Sequence, residues 1–123
     1  MSNESIAQST NAVLREQRRE DRKPVGVQIE VTDANTGLFV GYLVNISSEG
    51  IMLVGETEIA PSSVFQFRVP LPESAGEVTE LLLGVESLWC QPGEDPNHYW
   101  CGFHIIDISP GHRQALAELI ASL

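Results

Sequence analysis

Seven residues of this chain are Lys or Arg, and five of them, Arg15, Arg18, Arg19, Arg22 and Lys23, fall within the nine positions REQRREDRK. Guanidinium is a rigid fork of donors that fits phosphate oxygens and the O6/N7 edge of guanine. Arg18 and Arg22 stand four apart, a spacing that shares one face of a helix and that can also converge in a bent loop. Glu16, Glu20 and Asp21 are interleaved with them. The alternative reading is therefore a solvated segment whose charges neutralise one another, and exposed pairs of that kind contribute little to stability.

A second candidate is NISSEG, residues 45–50. Asn45 offers a donor and an acceptor, Ser47 a hydroxyl, and Gly50 a backbone free to take positive φ. Such groups can line a polar site at a strand end, and the same residue types also make an ordinary turn. Cys90, His98, Cys101 and His104 are of zinc-binding type, but their spacing gives no CxxC or HxxxH pair. Cys101 and His104 differ in parity, so on a strand they face opposite ways. They read as thiols and a loop histidine. No Ser-His-acid or Cys-His arrangement and no phosphate-cradling glycine loop is legible, and His112 reads as a surface residue. The expectation is a protein that is not an enzyme and holds no metal or cofactor.

The formal charge is −10, and from residue 24 onward two basic residues face thirteen acidic ones. A duplex-binding surface needs many cations against phosphate, so long nucleic acid is excluded as a partner. A small anion gripped by a few local arginines is not. With 123 residues and 42% hydrophobic content, the chain fits one globular domain. It has no apolar run near the ~18 residues a membrane span requires. The N-terminus lacks the apolar centre of a signal peptide, which gives a cytoplasmic expectation with Cys90 and Cys101 as free thiols.

These residues need a scaffold, and the rest of the sequence describes one. Lys23-Pro24 stops any preceding helix. In PVGVQIEVTD, Val25, Val27, Ile29 and Val31 alternate with polar or small residues, the period of a half-buried strand. DANTG is a turn. LFVGYLVNI is apolar on both parities, as a strand covered on both faces would be. GIMLVG and VFQFRVPL follow, and then two longer strands, VTELLLGVESLWCQ and HYWCGFHIID, joined by PGEDPN. Six strands with short links imply a closed or nearly closed antiparallel barrel. Ser109 and Pro110 start a terminal helix, with Leu116, Leu119, Ile120 and Leu123 on one face.

Taken together, RxxxR at Arg18 and Arg22, a β-rich run, and NxSxxG at Asn45, Ser47 and Gly50 resemble the PilZ domain family. Ser87, Leu88, Trp89 and the later Gly102, Phe103, Asp107, Ile108 and Ser109 extend the likeness to nearly the whole chain. The resemblance implies an all-β fold, a six-stranded antiparallel PilZ-type barrel with a C-terminal helix, spanning 18–123 behind a flexible segment 1–17. It also implies a bacterial receptor for the second messenger cyclic di-GMP. Arg18 and Arg22 would grip the ligand, with Arg19 as a further contact. Asn45 and Ser47 would hydrogen-bond it, and Gly50 would keep the turn tight. Trp89 stands where some relatives place an aromatic near the base, although a strand Trp is also an ordinary core residue. The residue before RxxxR, which in the family influences ligand stoichiometry, is Gln17. A receptor of one domain must pass its signal to another protein. The rival expectation is a PilZ-fold adaptor that binds partners without nucleotide.

Overall fold

The structure, a computed structural model, describes residues 23–72 and 78–123. Seven strands are present among them: β1 (Lys23–Pro24), β2 (Glu30–Asp33), β3 (Phe39–Ile46), β4 (Gly50–Gly55), β5 (Val64–Pro70), β6 (Glu80–Pro92) and β7 (Tyr99–Asp107). One helix, α1 (Pro110–Ser122), follows. Every pairing is antiparallel, in the order β3-β2-β5-β6-β7-β4, and a further β4–β3 pairing closes the six strands into a barrel. The expected segment 1–17 and the arginines Arg18, Arg19 and Arg22 lie outside the described residues.

The strand anticipated over PVGVQIEVTD is divided. Pro24 pairs with Asn45 and Glu30 with Tyr42, so β1 and β2 lie along the same side of β3. Between them Val25 N donates to Val44 O at 3.0 Å, and Leu43 N donates to Ile29 O at 3.0 Å. Four steps of one chain thus face a single step of the other. The excess is pushed outward, and Val27, expected to face in, is 54% exposed. A register shift in β3 between Leu43 and Asn45 accompanies it. That shift explains the two-parity pattern of LFVGYLVNI: Leu43 and Ile46, three apart, both enter the core.

The barrel interior is filled from every strand except the short β1. Phe67 and Phe103 meet edge-on with centroids 5.0 Å apart, and Phe65 stacks on Phe67 at 5.4 Å. Val31, Ile46, Ile51, Leu53, Val69 and Leu83 are buried around them, each worth ~1.5–3 kcal/mol of transfer free energy. Leu116 of α1 is 1% exposed and joins this core. Ser109 caps the helix by accepting from His112 N at 3.3 Å, and Pro110 opens it. His112 is not the free surface residue expected: its Nδ1 accepts from Leu82 N at 3.0 Å and ties the helix to β6. Leu119 and Ile120 pack against the core, whereas Leu123, expected on that face, follows the last turn and is exposed.

Candidate ligand-binding wall

The β3–β4 turn is built around the Ser47 side chain. Its Oγ accepts from Glu49 N at 3.2 Å and from Gly50 N at 3.1 Å, and it donates to Gly50 O at 3.3 Å. The backbone closes the turn through Ser47 N to Gly50 O at 2.9 Å. Ser47 is 1% exposed, so its hydroxyl serves the turn from inside. Gly50 does not use the positive φ anticipated from its type; among the described residues that region is occupied by Gly37 (77°) and Ser62 (63°). Gly50 instead begins β4, buried and paired with His104 of β7, while Ile105 N donates to Glu49 O at 2.8 Å and ties the turn to β7.

Register then fixes what faces outward beside this turn. Asn45 pairs with Pro24 on one side and Met52 on the other, Met52 with Gly102, and Gly102 with Trp89. Their chain neighbours Ile46, Ile51, Leu53, Cys101 and Phe103 are all buried. By alternation the row Pro24–Asn45–Met52–Gly102–Trp89 therefore lies on the barrel exterior. Asn45 Nδ2 donates to Met52 Sδ at 3.8 Å. The Trp89 indole lies over Gly102, where no room exists for a Cβ. Trp89 is thus not a core residue; it is a half-buried ring laid flat against the outer wall.

A bulge makes this orientation possible. The β6–β7 register shifts between Ser87 and Trp89, leaving Leu88 unpaired and exposed. Ser87 remains inside, where its Oγ donates to Ala60 O at 2.6 Å and accepts from Ser63 N at 2.8 Å. Past the bulge the parity is reversed, so Trp89 faces out and Cys90 turns toward Cys101. Those two sulfurs are 2.9 Å apart, both thiols free. Burial first, and the neighbouring Cys90 second, push the Cys101 thiol pKa far up, so it stays protonated. His104 points outward, and His98 sits in the β6–β7 loop with Nδ1 at 3.0 Å from Asp95. These four residues do not converge.

Sequence reasoning identified Asn45, Ser47, Gly50 and Trp89, and the fold brings Asn45 and Trp89 onto one wall with the turn at its end. Met52, which bridges them, was not singled out. Its signal lay in counting antiparallel partners back from NISSEG, which brings Met52 opposite Asn45. The wall also begins where the arginine segment joins the barrel, since Arg22 immediately precedes Lys23, the partner of Ile46. No helix among the described residues is long and apolar enough to cross a membrane.

Comparison with known proteins gives a consistent result. The PilZ domain family model matches residues 16–122. The PilZ domain of YcgR from Escherichia coli, solved with c-di-GMP, superposes with a TM-score of 0.63 at 16% identity, covering 87% of this chain and 91% of that one. The inhibitor of motility MotI/DgrA of Bacillus subtilis gives a TM-score of 0.64 at 16% identity over 82% of this chain. The present chain covers 48% of the MotI/DgrA chain, about half its length. A search of curated proteins by sequence finds no match.

Proposed function

The chain belongs to the PilZ domain family, and on that footing we propose that it is a cyclic di-GMP receptor that relays the signal to a protein partner. The observation that carries this reading is the outward row of Asn45, Met52, Gly102 and Trp89, which starts at the residues joining the barrel to RxxxR. A cyclic dinucleotide of two guanines carries two phosphate charges, two base edges and two flat rings. The row offers a carboxamide for a base or ribose edge and an indole face for a ring. Arg18 and Arg22, with Arg19 beside them, supply the charge and the bidentate guanine edge contact that lysine cannot make. Ser47 acts by holding the turn, and Gly50 by starting β4 at the wall's end. In this reading the barrel supplies the wall of the site, and Arg18 and Arg22 complete it.

Concentrating cations next to the wall suits a small anion. The acidic remainder of the chain repels long polyanions. Isothermal titration calorimetry on the full chain tests the reading, with GTP as control. Cyclic di-GMP should release heat at micromolar protein. Arg18→Ala or Arg22→Ala should cost at least ~1.5–3 kcal/mol, the range for hydrogen bonds involving a charged group. No heat with cyclic di-GMP would sink the receptor reading and leave a PilZ-fold adaptor.

A further inference from the structure

Beside the candidate wall lies a second outward row. Tyr42 pairs with Val54, and Val54 with Trp100. On β4 and β7 this row is two residues from Met52 and Gly102, about 7 Å along each strand. Phe39 extends it, its ring meeting Tyr42 edge-on at a centroid distance of 5.0 Å. Phe39 is 45% and Trp100 38% exposed, unusual for large aromatics on a soluble barrel. Trp100 is held in place by the β6–β7 loop, where a Cβ on Gly93 would come within 2.9 Å of its Nε1. These rings floor a groove of about 730 Å³.

Its rim is anionic. Glu56 lies at the end of β4, and Glu94 and Asp95 in the β6–β7 loop. Glu56 and Glu94 are exposed and have no ion-pair partner among the described residues. The backbone N–H of Asn97, at 3.0 Å from Asp95 Oδ1, is the main influence holding the Asp95 carboxyl below its usual range, with His98 adding to it. No Lys or Arg is among the described residues that line the groove, and His98 is already engaged with Asp95. These carboxylates disfavour an anionic occupant of the groove and favour a cationic one. Aromatic faces under carboxylates favour a guanidinium or ammonium flanked by apolar side chains, through cation–π and charge-assisted contacts.

We propose that the Phe39–Tyr42–Trp100 groove, rimmed by Glu56, Glu94 and Asp95, is the docking surface for a protein partner that presents an arginine-bearing, leucine-rich segment. It rests on the partner relay proposed above and names the chemistry of that partner. The groove shares β3, β4 and β7 with the candidate ligand wall.

The test uses the full chain, isotopically labelled, and a synthetic hexapeptide of alternating leucine and arginine. Peptides alternating leucine with glutamate, and arginine with glycine, serve as controls. Leu-Arg peptide should shift amide resonances of Phe39, Tyr42, Val54 and Trp100, and neither control should do so at equal concentration. Glu56→Gln with Glu94→Gln, both exposed, should weaken Leu-Arg binding at least ~10-fold, a difference of about 1.4 kcal/mol, and Trp100→Ala should do the same. Cyclic di-GMP calorimetry on Glu56→Gln/Glu94→Gln should be unchanged, which separates failure of this surface from failure of the receptor reading. Three outcomes would overturn the proposal: shifts spread over the acidic surface, equal binding of the Arg-Gly peptide, or sedimentation showing that this face pairs two copies of the chain.

Discussion

Ser47 shows how a residue can matter to a site without facing it. Its hydroxyl accepts two backbone N–H groups, donates to a carbonyl and is buried, so it fixes the turn on which Gly50 and the start of β4 depend. Removing it leaves two buried or half-buried donors without that acceptor. Ser47→Ala should therefore lower stability by ~1–3 kcal/mol, read as a fall in urea midpoint at unchanged slope. Its effect on cyclic di-GMP affinity should be smaller than that of either arginine change. Trp89 and Gly102 illustrate the complementary case. The indole can lie flat on the wall only because its cross-strand partner has no side chain, so the glycine shapes the exterior through the space it leaves.

Among the elements, the bulges decide which side chains face the wall. One register shift in β3 turns Ile46 inward and leaves Asn45 outside; another in β6 keeps Ser87 inside and turns Trp89 outward. Because side chains alternate with a period of two, each extra residue reverses every position that follows. The helix is attached by fewer links: the Ser109 cap, the His112–Leu82 bond and Leu116 in the core. Ser109→Ala should cost ~1 kcal/mol, the usual loss of an N-cap side chain. Thermal melting followed at the helix signal should show it, with cyclic di-GMP affinity unaffected.

For the molecule as a whole, the charge distribution sets two opposite responses to salt. A chain at −10 repels itself when folded, while the proposed receptor reading assigns ligand binding to cations concentrated in a few residues. Between ~0.01 and ~0.15 M ionic strength the Debye length falls from about 30 to about 8 Å. Stability to urea should rise across that range, and cyclic di-GMP affinity should fall. Parallel changes in both would contradict this division between an acidic body and a cationic clasp.

The six-stranded barrel, its order of turns and the capped terminal helix were legible in the sequence because alternation, turn residues and helix caps are local signals. NxSxxG announced a turn for the same reason. What tertiary structure alone decided was direction and adjacency. The broken first strand, the outward Trp89, the bond from Leu82 to His112 and the Asn45–Met52–Gly102–Trp89 row follow from bulges and cross-strand register. Register is settled by which side chains fill the common core, and that depends on residues up to dozens of positions apart, beyond the reach of any local pattern.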